Sequence, residues 1–161
     1  MKIAVINGSP KGEYSITLQT VNYLSRKYPE HEFLIFHAGK RIKAIEKDIS
    51  EAAALLASAD AVMFSYPVYT FLAPSQLHRF IELVKKSGLD LNGKYATQVS
   101  TSKHFYDVTA HKYIEENVLD MGMRYIRGLS ADMEDLLTEH GQKEAEKFFD
   151  RFLWAIKEGI Y

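Results

Sequence analysis

"KIAVINGSPKGEYSITLQTVNYLSRKY", Lys2 to Tyr28, decides the fold. Lys2–Ile6 is an apolar run of the kind buried on both faces of a sheet. It gives way to a loop of small, hydroxylated and basic residues, Asn7–Thr17. Ser15–Tyr28 then reads as a helix, with Leu18, Val21 and Leu24 at roughly helical spacing. The same period recurs downstream. His31–His37, Asp60–Pro67, Gly93–Ser102 and Met123–Ala131 read as further strands. Asp48–Ala59, Pro74–Gly88, Thr109–Gly122 and Gly141–Gly159 read as helices. Ser50 or Asp48 is placed to cap the second of the five helices, Pro74 to open the third and Gly88 to close it. This alternation predicts a parallel α/β sheet covered by helices on both faces, with right-handed crossovers. An open doubly wound sheet fits 161 residues better than an eight-stranded barrel, which takes about 250. The whole chain, 1–161, reads as one domain.

Composition narrows the function. No apolar run reaches the roughly 20 residues of a membrane span, and the first residues lack the pattern of a signal peptide, so the cytoplasm is the expected compartment. The chain has no cysteine, which excludes disulfides, thiolate catalysis and cysteine-held clusters. Redox work then requires an organic cofactor. With 20 basic and 21 acidic residues the net charge is −1, without a nucleic-acid footprint or the strong acidity of many electron shuttles. The basic stretch Gly39–Lys47 reads as a solvated connection.

Ligands of open sheets bind beyond the carboxyl ends of the strands, where strand order reverses. That singles out "NGSPKGEYS", "YPVYTFLAP" and "STSKHFYD". In the first loop, Gly8 and Gly12 allow close backbone approach, Ser9, Ser15 and Thr17 carry hydroxyls, Lys11 adds charge, and the following helix start attracts anions. The loop matches neither "GxxxxGK[ST]" nor "GxGxxG", which leaves a terminal phosphate monoester as the ligand. The plainer alternative is a turn with Ser15 as N-cap.

These stretches resemble the flavodoxin-like NAD(P)H-dependent oxidoreductases, or NADPH-dependent FMN reductases, which include iron–sulfur flavoproteins. The resemblance rests on "NGSPKGEYSIT" and "YPVYTFLAPSQLHRFIELV" (Tyr66–Val84), and on the order of elements. It implies a flavodoxin-like doubly wound five-stranded sheet in the order 2-1-3-4-5. It also implies FMN as cofactor, with NADH or NADPH as co-substrate. Carried over by position, Ser9, Lys11, Ser15, Ile16 and Thr17 bind phosphate, while Pro67, Val68, Tyr69 and Thr70 face the flavin. The chain departs from iron–sulfur members in having "GKRIKAIEKD" where their cysteines lie. It departs from simple FMN reductases in the longer, more aromatic "STSKHFYDVTAH".

Ser100, Thr101, Ser102 and His104 are expected at the other flavin edge, or else as turn and cap residues. The catalytic residue is unassigned, with His104 and Tyr106 the candidates for a proton or hydrogen bond. Tyr69 reads as a wall or rim of the flavin site, or as an ordinary packing aromatic, and the backbone of Val68–Thr70 as the contact to the ring edge. The spacing of His104, Asp107 and His111 invites a metal, but Asp107 serves equally as N-cap of the next helix, and no metal is expected. No "GxSxG" elbow supports hydrolysis. Phe148, Phe149, Phe152 and Leu153, with Trp154 and Ile156, supply core and a possible homodimer contact.

The reading is an FMN-dependent oxidoreductase that passes electrons to a small acceptor (quinone, flavin or nitro compound) or a redox partner protein, with neither nucleic acid nor membrane as partner. The alternatives are a flavodoxin-type carrier and a non-redox phospholigand module, each compatible with a complete protein or one module of a longer one.

Overall fold

A computed structural model describes residues 1–103 and 106–161. Its parallel sheet has the order β2-β1-β3-β4-β5 in the strands β1 (Lys2–Asn7), β2 (Glu32–Phe36), β3 (Ala61–Pro67), β4 (Tyr95–Ser102) and β5 (Arg124–Tyr125). β6 (Leu129–Asp132) also pairs with β4. The helices are α1 (Ile16–Lys27), α2 (Ile42–Ile45), α3 (Ser50–Ser58), α4 (Ser75–Ser87), α5 (Val108–Asp120) and α6 (Glu139–Glu158). Among the described residues, no helix is long and apolar enough to cross a membrane.

Strand alternation sends side chains to two cores. Ala4, Ile6, Val62, Phe64 and Tyr66 share one with Leu56, Leu77, Phe80 and Ile114 of α3–α5. Ile3, Val5, Met63 and Val99 share the other with Leu18, Val21 and Leu24 of α1 and Phe148, Phe149 and Phe152 of α6. Register places Asn7 beside Ser65 and Pro67 beside Thr101, so β1, β3 and β4 end together and their loops converge.

Several local expectations hold: Gly88 closes α4 in a left-handed conformation (φ 69°), and Asp48 Oδ1 accepts the Ser50 N–H at 2.9 Å at the start of α3. Pro74 stands one position before the first turn, as N-cap of α4. The expected fifth strand, Met123–Ala131, is broken into β5 and β6. Ile126 still donates to the Ala96 carbonyl at 2.8 Å, but Gly128 then lies so close to β4 that a Cβ there would stand 2.2 Å from the Gln98 carbonyl oxygen. The final helix starts before Gly141, at Glu139, because Thr138 Oγ1 accepts the Gly141 N–H at 3.0 Å. α2 was not anticipated, and its Ile45 is buried within the stretch read as solvated.

Candidate functional site

At the end of β1, the buried Asn7 laces the first loop. Its Nδ2 donates to the Gly12 carbonyl at 2.8 Å, and its Oδ1 accepts the Ser9 N–H at 3.1 Å. Gly8 N donates to Ser65 O at 2.8 Å, which ties the loop to β3. The turn closes through Gly12 N to Ser9 O and Ser15 N to Gly12 O, with Gly12 at φ 56°, a value that favours glycine. Ser9 Oγ accepts the Lys11 N–H at 3.2 Å.

Ser15 occupies the N-cap position of α1, as the plainer reading expected, but its hydroxyl caps nothing. Ser15 Oγ is buried without a hydrogen-bond partner, beside helix N–H groups that have no acceptor within the helix. A buried hydroxyl left unpaired costs about 1–3 kcal/mol. A phosphate monoester would accept from both the hydroxyl and the N–H groups, so these residues fit such a group. Thr17 faces inward instead: its Oγ1 shares a hydrogen bond with Thr101 Oγ1 at 2.6 Å and ties α1 to the end of β4. Ile16 is half exposed and Lys11 is exposed at the loop surface.

Two groups beyond the sequence reading support the loop from below. Gly39 donates its N–H to Asn7 O at 2.9 Å, and a Cβ on it would lie 2.3 Å from the Gly8 carbonyl oxygen. Lys40 pairs with Glu13 at 2.9 Å and holds that carboxyl below its usual range. The only sequence signal for Gly39 was a glycine just after the second strand, level with the first loop in a parallel sheet.

Beyond β3, Val68 N donates to Thr101 O at 2.9 Å, and Tyr69 and Leu72 exchange backbone hydrogen bonds at 2.8 and 3.1 Å. Neither Val68 N–H nor Tyr69 N–H is therefore spare for a ring edge. Between them and Leu72, Thr70 (φ 48°) and Phe71 (φ 70°) make a two-residue turn of the mirror-image type, which ordinarily takes Asn-Gly. For residues with side chains, each such conformation costs about 1–3 kcal/mol. Tyr69 is half exposed, consistent with a rim position.

At the end of β4, the expected residues separate. Ser100 is fully buried and shares a hydrogen bond with His111 Nε2 at 2.7 Å, and Asp107 Oδ2 lies 3.5 Å from both. Thr101 is engaged by Thr17, and Ser102 lines a cavity of about 350 Å³ with Thr20, Ser130, Asp132 and His140. His104 lies outside the described residues. Tyr106 is exposed and meets the Phe71 ring edge to face, with centroids 5.0 Å apart. Asp107 does precede α5, but its carboxylate turns inward rather than capping it. Among the described residues no group of three or more His, Asp or Glu side chains could hold a metal.

Beneath this end of the sheet, Gln98 accepts from the buried Tyr66 hydroxyl and donates to the Tyr125 hydroxyl and, at 3.1 Å, to the His111 carbonyl. Burial pushes Tyr66 and Tyr125 above the usual tyrosine pKa. Burial also lowers His111, assisted by Arg127 and opposed by Asp107; burial lowers His78 as well. Their rings are therefore neutral in the folded state at pH values where an unfolded histidine, with pKa about 6.5, starts to gain a proton. The unfolded chain binds more protons in that window, so stability falls as pH drops below about 6.5 toward the lower folded-state values. Urea midpoints measured from about pH 7.5 down to about pH 5 should show this fall, and His111→Gln should flatten it; a slope unchanged in that variant would refute the assignment.

Residues 1–134 match the family model described as NADPH-dependent FMN reductase. A search of curated proteins finds no match. Among solved structures, the apo form of an NADH:FMN oxidoreductase (EMOB) aligns with a TM-score of 0.71 and 20% identity, over 91% of this chain and 87% of that one. General stress protein 14 of Treponema denticola, solved in complex with FMN, aligns with a TM-score of 0.71 and 14% identity, over 93% and 97% of the two chains. The flavoenzyme NAD(P)H:(acceptor) oxidoreductase FerB of Paracoccus denitrificans aligns with a TM-score of 0.70 and 16% identity, over 92% and 95%. At these identities the three structures establish the shared fold.

Proposed function

The chain belongs to the NADPH-dependent FMN reductase family and is an NAD(P)H-dependent FMN oxidoreductase; we propose that it passes the electrons to a small acceptor such as a quinone, a free flavin or a nitro compound. When bound, FMN supplies the atom that receives hydride from the reduced nicotinamide and the two electrons that leave for the acceptor. The protein's part is to bind and orient.

The observation that carries the site assignment is the buried, unpartnered Ser15 hydroxyl at the uncapped start of α1. Ser15, Ser9 and Lys11, with the backbone N–H groups of Ile16 and Thr17, would hold the FMN phosphate. The Thr17–Thr101 hydrogen bond fixes the helix start against β4. Pro67, Val68, Tyr69 and Thr70 would border one side of the ring system and Thr101 and Ser102 the other, with Ser100 held beneath them by His111. Tyr106 and His104 are the candidates to give a proton or hydrogen bond to the acceptor.

The elements of the described residues share one sheet and two cores, which supports one FMN-binding domain over 1–161. We read the working form as a cytoplasmic homodimer. The support is a co-substrate kept inside cells and the exposed large apolar side chain of Trp154 on α6. A carrier with no NAD(P)H reaction of its own is disfavoured by the family and by a net charge of −1.

Purified protein should carry or take up FMN, and anaerobic NADPH or NADH should bleach the flavin band. Protein that takes up no FMN would defeat the redox reading, and FMN-loaded protein that neither nucleotide bleaches would leave only the carrier.

A further inference from the structure

The buried Asn7 amide has three partners, and together they fix the protonation of a fourth group. Its Oδ1 accepts the Ser9 N–H at 3.1 Å and its Nδ2 donates to the Gly12 carbonyl at 2.8 Å, and these backbone groups cannot exchange roles. Turned over, the amide would set donor against donor at Ser9 and oxygen against oxygen at Gly12. Only one orientation is open to it. The remaining Nδ2 hydrogen then serves His37 Nδ1, 3.0 Å away. That nitrogen must accept, so it carries no proton, and the neutral ring has its hydrogen on Nε2.

His37 follows β2, and the register that pairs Ile6 with Phe36 sets it level with Asn7. The Gly12 carbonyl takes the Ser15 N–H as well, at 3.1 Å. A chain of hydrogen bonds therefore runs from the His37 ring through Asn7 and Gly12 to Ser15, whose free hydroxyl marks the phosphate cradle. The half-buried ring also lines a cavity of about 710 Å³ with Pro10 and Glu13 of the first loop, Lys40, Arg41 and Lys43 beyond β2, and Gln76 of α4. Glu13 is the single carboxylate lining that cavity, and Lys40 already holds it at 2.9 Å. A proton on Nδ1 would set two donors face to face and add a fourth cation to this surround. The same cation would also attract a phosphate, so the two effects oppose each other in FMN binding.

We propose that His37 is a positioning residue for the FMN phosphate: its unprotonated Nδ1 holds the Asn7 amide in the orientation that closes the first loop, and protonation of the ring loosens that loop and weakens FMN binding. This rests on the FMN reading above, and names a pH-dependent control of that same site.

The test compares wild type with His37→Asn and His37→Lys. Asparagine puts an amide oxygen near the Nδ1 position and does not titrate, whereas lysine supplies a cation that can only donate. FMN is titrated by fluorescence from about pH 7.5 to about pH 5.5, across the range in which histidine ordinarily gains a proton. The phosphate monoester has its own ionisation near about pH 6, which all three proteins share, so the quantity read is the ratio of wild-type Kd to that of His37→Asn. In the flavin-free wild-type protein, long-range proton–nitrogen NMR spectra identify which ring nitrogen carries the hydrogen. Urea midpoints report folding.

At pH about 7.5 His37→Asn should bind FMN within about threefold of wild type, and His37→Lys about tenfold more weakly. The ratio of wild-type to His37→Asn Kd should rise about tenfold as pH falls. The spectra should show the neutral ring protonated at Nε2. A ratio that stays flat, a neutral ring protonated at Nδ1, or a His37→Lys protein that binds FMN as tightly as wild type overturns the proposal; the last would show that attraction to the phosphate outweighs the Asn7 bond. If His37→Lys fails to fold, the ratio and the ring spectra still decide. Absence of FMN uptake by all three proteins defeats the FMN reading instead, and the ring spectra still report whether His37 accepts from Asn7.

Discussion

Replacing Ser15 by aspartate should yield protein that folds but no longer retains FMN. Aspartate is a favoured N-cap residue, and its charge suits a helix start by about 0.3–1 kcal/mol, so the thermal midpoint should stay within a few degrees of wild type. The same carboxylate would lie where the phosphate monoester is held. Two like charges about 4 Å apart repel by about 4 kcal/mol at an effective dielectric of 20, so FMN affinity should fall at least about 100-fold. Riboflavin has the same ring system without the phosphate, so the ratio of FMN to riboflavin affinity should collapse toward unity. Ser15→Ala removes one donor to a charged acceptor and should cost about 1.5–3 kcal/mol of FMN binding. Fluorescence titration with both flavins checks each variant. Wild-type FMN affinity in Ser15→Asp would place the phosphate elsewhere.

The second large effect is expected at Gly39, outside every loop singled out for ligand contact. A methyl group there would meet the Gly8 carbonyl oxygen at 2.3 Å and the Ser9 carbonyl carbon at 2.6 Å, and these are backbone atoms that cannot swing aside. Overpacking of this kind typically costs about 1–3 kcal/mol, and relieving it requires the first loop to move away from its place over β2. Gly39→Ala should therefore lower the urea midpoint and the FMN affinity together. Gly88→Ala provides the contrast: Gly88 is at φ 69° with nothing within 4 Å of a Cβ. It should lose about 1 kcal/mol of stability and keep FMN affinity unchanged. A Gly39→Ala protein with normal flavin affinity would show that the loop does not depend on the support beneath it.

The repeated strand–helix period was legible because parallel strands buried on both faces leave continuous apolar runs, and the helices between them carry apolar stripes. The converging loops followed from it, since parallel strands all end on one side. Less legible was anything decided by contacts between distant residues. The break at Ile126–Gly128 depends on how closely Gly128 approaches Gln98, and no local pattern near position 126 encodes that. Asn7 reads as the first residue of the loop, yet it ends β1 and its side chain joins the two ends of that loop. Ser15 was placed correctly as an N-cap position, while the freedom of its hydroxyl came only with the loop's three-dimensional path. Ser100, expected at a flavin edge, points to His111, which a helix four residues beyond Asp107 brings over β4.

The break between β5 and β6 has a consequence for encounters between molecules. A sheet edge with a long, flat row of free backbone groups invites strands from other chains to add to it. Here the strands flanking β4 on that side are only two and four residues long, separated by a stretch drawn in toward Gln98. An incoming strand would find no continuous ladder along which to grow. The glycine that lets the chain close over Gln98 therefore also ends the sheet in a form poorly suited to recruiting copies of itself.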